Sequence, residues 1–401
     1  MPSAVGAFQN SSGIFGYKFM QSFDAIHITS FKMSDSNKSG IVEIPDKIDG
    51  YYVENIDKQA FANNSLIKSI ILSPHLLIIS DRAFSDCVNL ETVRFPKSLI
   101  RIGHSSFAGC TSLKSVSLDS VSYIDTGAFA GCKNLESINL GNKIETIHSS
   151  LITNNDKLET LILPEGVKKI FPYAFLDCTN LKNINIPSSV ISIPGGVFTK
   201  LPSLTNVIIN PKNKYFYIKD DVLYQKHIFE DLGTETYSLV SVFPKKNDIN
   251  FVIPSNVNRI MSHAFSGSKI HNLQIPESVT SIENRAFDNM INLQRLKIPS
   301  SVKACAFIMF ENESIKFIDF SNGIKDLVLS LPEDSNALKV VRLPITLDRI
   351  NITTIHPDTK LLLSKETNIF KELKDDDYNI CCAVSELNKM LTEIENENKE
   401  L

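Results

Sequence analysis

IPESVTSIENRAFDNMINLQRLKIPSSV, residues 275–302, decides the fold, because it ends by repeating its own opening. Ile275-Pro276-Glu277-Ser278-Val279 returns 23 residues later as Ile298-Pro299-Ser300-Ser301-Val302. Outward from this stretch the pattern L-x-x-I-x-I-P begins again at Ile67, Leu90, Leu113, Leu135, Leu158, Leu181 and Leu204, and at Ile270, Leu293, Ile315 and Leu338, in steps of 22 or 23 residues. The one longer step, 66 residues from Leu204 to Ile270, is three times 22, so the register survives it. A fixed period in this range is the signature of a solenoid.

Each unit has three parts. Leu90, Val93 and Phe95 before Pro96 alternate at the period of a strand with one buried face, as do Leu181, Ile184 and Ile186 before Pro187. A second short apolar pair follows, such as Leu99 and Ile102, Val190 and Ile193, or Val279 and Ile282. Five residues beyond that second member stands a Phe: Phe61, Phe84, Phe107, Phe129, Phe175, Phe198, Phe265, Phe287 and Phe310. No single coil buries its apolar edge alone, so coils stack and the Leu, Ile and Phe positions form ladders through a shared core.

The stretches 186–209 (IPSSVISIPGGVFTKLPSLTNVII) and 275–302 resemble the BspA-type leucine-rich repeat, I-P-x-S-V-x-x-I-x-x-x-A-F-x-x-C-x-x-L, and the match runs over roughly residues 41 to 344. The approach IVEIPDKIDGYYVENIDKQAF (41–61) is similar to the way such arrays begin. NKYFYIKDDVLYQK (213–226) with YSLVSVFP (237–244) resembles a hairpin insertion of the family, which usually carries Gly where Asp221 stands. Asp tolerates a left-handed turn better than most residues, so the turn is expected to survive. The resemblance implies an α/β leucine-rich-repeat solenoid, a β-rich horseshoe with one parallel strand per coil of about 23 residues. It divides into a cap at 1–40, an array at 41–350 with an insertion at 211–253, and a C-terminal cap and helix at 351–401.

The helix is expected from Lys374, Asp375, Asp376 and Asp377, acids suited to the positive end of a helix dipole, followed by Ile380, Val384, Leu387, Leu391 and Ile394 at spacings of 4, 3, 4 and 3. It is read as a cap folded on the last coil; the other use of such a stripe is a coiled-coil contact with a partner or a second copy. The acidic end EIENENKEL is read as a solvated helix end, with a weaker similarity to the export tails of some type IV secretion effectors.

Cysteine usage needs no disulfides. Cys87, Cys110, Cys132 and Cys178 each lie three residues before the repeat Leu, where the motif requires a small buried side chain, and Cys305 takes a second-strand Ile position. Seven cysteines without a C-x-x-C give no zinc or redox motif. The net charge of −4 is unlike that of a nucleic-acid or anionic-membrane binder. No run of 18 apolar residues spans a membrane. The N-terminus lacks the basic and apolar regions of a signal peptide. The resemblance implies the cell surface or exterior, here by a route without a visible signal peptide, or a host cell after translocation, with the cytoplasm left open.

Chemistry is sparse. There is no G-x-G-x-x-G, P-loop, H-E-x-x-H or G-x-S-x-G. The histidines are scattered, Asp220 and Asp221 read as turn residues, and no cofactor is called for. What remains is a surface. The third and fifth residues of L-x-x-I-x-I point away from the core, which makes Arg94, Asn139, Ile162, Asn185, Ile208, Gln274, Lys297, Phe317 and Arg342 the candidate partner-binding face. Exposed apolar residues in a polar frame suit a protein contact. The resemblance implies a non-enzymatic protein-binding scaffold of the surface-adhesion or host-interaction type. The alternative is an effector acting on an intracellular host protein through the same face, and the remote one an enzyme with its site in 211–253.

Overall fold

The computed structural model describes residues 8–9, 14–20, 24–32, 39–229, 233–243, 249–309, 314–331, 337–363, 367 and 380–381. The chain forms two compact units, Met1–Lys214 and Tyr215–Leu401. In the first, the strands Ile41–Glu43, Ser69–Ile71 and Thr92–Arg94 pair parallel and in register; Ser115–Ser117 pairs with Ser137–Asn139; and Thr160–Ile162, Asn183–Ile186 and Asn206–Ile209 form a third set. The second short segments, among them Ile78–Ile79, Arg101–Ile102 and Tyr123–Ile124, build another parallel ladder. An antiparallel hairpin, Phe15–Met20 with Ala25–Phe31, leads into this ladder by pairing with Tyr51–Ile56. The first residue of the motif is buried in each of these coils, from Ile67 to Leu338.

The Phe positions stack. Phe31 from the hairpin lies on Phe61 at 4.8 Å, and Phe61, Phe84, Phe107 and Phe129 follow at 4.8, 5.1 and 5.4 Å. What holds each ring is a turn with two left-handed residues, one two positions before the ladder residue and one two positions after it. They are Gln59 and Asn63, Arg82 and Asp86, Ser105 and Gly109, Gly127 and Gly131, Ser150 and Asn154, Tyr173 and Asp177, Gly196 and Lys200, His263 and Gly267, and Arg285 and Asn289, all at φ between 51° and 82°. Backbone amides of these turns donate to the following coil: Phe61 to Ala83, Phe84 to Ser106 and Phe107 to Ala128, at 2.7 to 2.9 Å.

Three residues past the ladder Phe, the thiols of Cys87, Cys110 and Cys132 donate to the carbonyls of Phe61, Phe84 and Phe107 at 3.1, 3.2 and 3.2 Å. Cys178 does the same to Ile152 at 2.9 Å. All four are free, as is the buried Cys305. Asn155 occupies the equivalent place in its coil; its Nδ2 donates to Phe129 O at 3.1 Å, while its buried Oδ1 has no partner among the described residues.

In the second unit Phe216–Lys219, Val222–Phe229 and Thr234–Val242 form an antiparallel sheet, and the last of these pairs parallel with Val257–Ile260. The turn at Asp220-Asp221 has both residues at positive φ, 51° and 57°, the type I′ geometry of a two-residue hairpin, so Asp does the work of Gly there. Phe265, Phe287 and Phe307 stack at 5.5 and 6.0 Å. Phe307, on the strand Ala304–Ile308, continues this ladder; the expected Phe310 lies outside the described residues.

The expectation of an α/β repeat with a C-terminal helix is overturned: among the described residues there is only strand and no helix. The left-handed residues flanking each Phe interrupt any helical turn there, because αL geometry cannot continue a right-handed helix. At the C-terminus Ile380–Cys381, where the helical stripe was expected to begin, is instead a strand paired with Leu361 and Leu362. An open sheet edge offers backbone partners at once, whereas an isolated short helix must first nucleate. The rest of the stripe, Val384 to Ile394, lies outside the described residues.

Phe107→Ala is expected to cost about 3 to 5 kcal/mol in denaturant unfolding, the loss of a large buried side chain with residual cavity, while reductant leaves the melting temperature unchanged. Asn155→Cys is expected to raise stability by about 1 kcal/mol, since it keeps a donor to Phe129 O and removes the unsatisfied Oδ1; a loss in the same titration would contradict the equivalence of the two positions.

Candidate protein-binding face

The alternation of the L-x-x-I-x-I strand places its third and fifth residues outward, as the exposure of Thr160 and Ile162 around buried Leu161 shows. These two outward rows differ. The third-position row is hydrogen-bonded along the stack: Thr92 Oγ1 donates to Ser69 Oγ at 2.8 Å, Asn183 Nδ2 to Thr160 Oγ1 at 3.1 Å, and Asn206 Nδ2 to Asn183 Oδ1 at 3.2 Å. Asn272 Nδ2 donates likewise to Asn250 Oδ1 at 2.8 Å in the second unit. The fifth-position row is more open. Ile162 is 60% exposed and Ile208 47%, and Asn185 lies in register between them, half-buried. Among the described residues the Asn185 side chain makes no hydrogen bond.

The remaining expected residues fall in different surroundings. Arg94 is exposed and, among the described residues, forms no ion pair; it lines a shallow depression with Ser115, Ser117, Ser137 and Asn139. Asn139 is engaged within the fold, its Nδ2 donating to Ser117 Oγ at 3.1 Å and Asp119 Oδ1 at 3.0 Å, and its Oδ1 accepting from Gly141 N at 3.0 Å. In the second unit Gln274 and Lys297 are exposed. Phe317, expected on the open face, is 1% exposed, with the Arg295 guanidinium 5.2 Å from its ring centroid. Val340 beside it is also buried. Arg342 lies 3.5 Å from the buried Asp319. Val252, in register with Gln274, went unnoticed in the sequence because 211–253 read as insertion. The signal was present in Phe251 and Ile253 before Pro254, the strand half of the motif.

The other chemistry is structural in character. Burial pushes the thiol of Cys87 up to about 11 and those of Cys132, Cys178 and Cys305 up to about 12, and it drives Cys110 well above the ordinary thiol range. A thiol held neutral this way is a poor nucleophile and a poor metal ligand. In the 211–253 segment His227 Nε2 lies 2.9 Å from the buried Ser238 Oγ. Burial, with Arg259 nearby, lowers the His227 pKa, and among the described residues no carboxylate orients its other nitrogen.

Comparison with known families places this geometry. The family model described as the BspA type leucine rich repeat region matches residues 25–121, 111–228 and 240–359. The chain belongs to the BspA-type leucine-rich repeat family. Among solved structures, this BspA-type chain is similar to a leucine-rich cell surface protein from Faecalibacterium prausnitzii, at 24% identity and TM-score 0.72, over 87% of this chain and 95% of that one. It is similar also to the pneumococcal vaccine antigen PcpA, at 19% identity and TM-score 0.61, over 95% and 100% of the two chains. A leucine-rich repeat protein from Eubacterium ventriosum gives 17% and 0.52, over 88% and 86%. At such identities the likeness is one of fold alone. No curated protein matches the chain in sequence. Repeat arrays of this family are consistent with a protein-binding scaffold. Among the described residues no helix is long and apolar enough to cross a membrane.

The raised thiol pKa values carry a sign. The folded pKa lies above the unfolded one, so their contribution to stability is whole below about pH 9 and is lost as pH rises from about 9 to 12. A melting temperature that declines over that window is expected. At pH 8, mass spectrometry should find Cys87, Cys110, Cys132, Cys178 and Cys305 unlabelled by a thiol reagent until the chain unfolds; rapid native labelling would contradict their burial.

Proposed function

We propose that this chain is a non-enzymatic protein-binding scaffold that engages a host protein outside the cell that makes it, through the strand face of its first unit. The observation that carries the reading is the run Ile162, Asn185 and Ile208: two exposed isoleucines on either side of an amide that makes no hydrogen bond among the described residues, in register on three adjacent coils. At about 4.8 Å per coil the run is about 10 Å long. Covering the exposed parts of the two isoleucines is worth about 1 to 2 kcal/mol each, and the Asn185 amide supplies direction once water is excluded around it. The neighbouring third-position row makes hydrogen bonds within the fold, so it frames the contact with few groups left over. The cell-surface description of the Faecalibacterium protein and the antigen status of PcpA support an exterior location for this chain too.

The double substitution Ile162→Asp with Ile208→Lys tests this. The expected result is loss of at least about 100-fold in affinity for a partner retained from an extracellular protein fraction, given two central anchors at about 2 kcal/mol or more each. The circular dichroism spectrum and melting curve should stay near those of the wild type, because neither side chain belongs to the core. Undiminished retention by a folded double variant would remove the face from the function.

A further inference from the structure

The depression in the strand face of the first unit, about 490 Å³, is lined by Arg94, Ser115, Ser117, Ser137, Asn139 and Asp119, and the half-buried Phe95 adds a ring to its wall. That volume falls within the range of small-ligand sites, about 300 to 1,000 Å³. The repeat changes here in three ways. The row of third positions, hydrogen-bonded between Ser69 and Thr92 and again between Thr160 and Asn183, is interrupted: the Ser115 and Ser137 hydroxyls make no hydrogen bond among the described residues. The strand ladder is interrupted as well, since Thr92–Arg94 ends one set of paired strands and Ser115–Ser117 with Ser137–Asn139 forms another. Strand edges that face each other without pairing offer backbone donors and acceptors. Phe95 stands where neighbouring coils carry Leu72, Leu118 and Leu140, a larger ring held T-shaped against Phe107 at 5.6 Å. The polar groups around the depression fall into two sets. One is fixed within the fold: Asn139 Nδ2 donates to Ser117 Oγ at 3.1 Å and Asp119 Oδ1 at 3.0 Å, while its Oδ1 accepts from Gly141 N at 3.0 Å. That holds the Asp119 carboxylate in place with acceptor capacity to spare. The other set is open: the Ser115 and Ser137 hydroxyls, and the exposed Arg94 guanidinium, which forms no ion pair among the described residues.

We propose that this depression binds the carboxylate-bearing sugar at the end of a glycan chain, its carboxylate on Arg94 and its hydroxyls on Ser115, Ser137 and Asp119. The proposal goes beyond the protein contact at Ile162 and Ile208 and stands on other residues. Each part of the lining selects for one part of such a ligand. The planar guanidinium matches a carboxylate with two parallel hydrogen bonds. Asp119 is acceptor-only, so it needs donors, which sugar hydroxyls supply and a second carboxylate does not. The serine hydroxyls donate and accept, as sugar hydroxyls do, and the exposed part of the Phe95 ring offers apolar cover to a C–H face of the sugar. A phosphate, with a charge of about −1.5 to −2, meets more repulsion from Asp119 than a singly charged carboxylate does. An acidic peptide segment would bring a carboxylate to Arg94 but few hydroxyls for the serines, and the depression has no deep apolar pocket to take a side-chain anchor. Being shallow, the site leaves room for the rest of a chain to run out into solvent.

The test is a saturation-transfer NMR titration of the full chain with methyl β-glucuronide, whose methyl group stands for the rest of the glycan, and with methyl β-glucoside, which differs only in lacking the carboxylate. The wild type should bind the glucuronide, and the glucoside at least fivefold more weakly. Arg94→Gln should bring the glucuronide down to the level of the glucoside and leave the glucoside unchanged, a split that a general loss of structure does not give. Ser137→Leu, which fills the depression from an exposed position, should weaken both sugars at least fivefold with an unchanged melting curve. The double variant Ile162→Asp with Ile208→Lys should bind the glucuronide as the wild type does, which keeps failure of this proposal distinct from failure of the protein contact. The proposal is overturned if the wild type does not bind the glucuronide, if it binds the glucoside as tightly, or if Arg94→Gln or Ser137→Leu changes nothing. It is overturned as well if glucose 6-phosphate binds more tightly than the glucuronide, the result for a phosphate site, or if a Glu-rich peptide displaces the glucuronide at equal concentration, the result for a protein carboxylate.

Discussion

The Phe-centred turn is the constraint on which the rest of both units depends. A buried turn leaves backbone amides and carbonyls that must be partnered, because an unpaired group in the core costs as much as a lost hydrogen bond. Here every second amide finds its partner in the next coil, Arg82 N donating to His104 O, Phe84 N to Ser106 O and Asp86 N to Ala108 O, while the amides between them, Ala83, Ser85 and Cys87, donate within the turn to Ser80, Arg82 and Phe84. Such a pattern requires the turns of neighbouring coils to be superimposable, which fixes the period at 22 or 23 residues. The ladder ring, the small residue three positions later and the two left-handed residues are consequences of that superposition. Cys87, Cys110 and Cys132 also reach backward to the carbonyl of the preceding ring, so each coil is tied to both neighbours at the same place.

Much of this was legible in the sequence because it repeats. The Leu, Ile and Phe ladders, the outward rows and the buried free thiols all follow from the period and from the alternation of side chains along a strand. The left-handed residues were not legible: Gly109 and Gly131 announce a positive φ, but Arg82, Tyr173 and Arg285 take the same geometry with side chains that give no hint of it. The superposition imposed by neighbouring coils overrides their local preference. The C-terminal stripe failed for the opposite reason, since its spacing is a good local signal and an open strand edge outweighed it at Ile380–Cys381. Phe317 was placed on the right row, but that row is not equally open along its length, and neighbours outside one strand decide exposure. The first-unit patch follows from alternation alone, and the structure adds that its residues stand in register and that, among the described residues, the Asn185 side chain makes no hydrogen bond.

The way the two outward rows are used links the fold to recognition. Side chains in the third-position row bond to one another from coil to coil, so they reinforce the register that the backbone sets and leave fewer groups exposed without partners. The fifth-position row makes fewer such bonds, and its residues range from Ser117 and Asn185 to Ile162, Ile208 and Lys297 within one framework. A change there leaves the core ladder untouched, which is why chemistry can differ from coil to coil at small cost in stability. Surface substitutions away from special features usually change stability by less than about 0.5 kcal/mol.

The same separation explains why the two units present different surfaces from one repeat. In the first unit the open row carries the exposed Ile162 and Ile208 on either side of Asn185. In the second it carries Gln274 and Lys297 beside the exposed Val252. Neither demands anything of the turn, whose geometry is alike in both units down to the position of its left-handed residues. A scaffold of this kind evolves recognition one outward residue at a time. Its limit is set where an outward position becomes buried, as at Phe317 and Asp319, because there a substitution must satisfy packing before it can serve a partner.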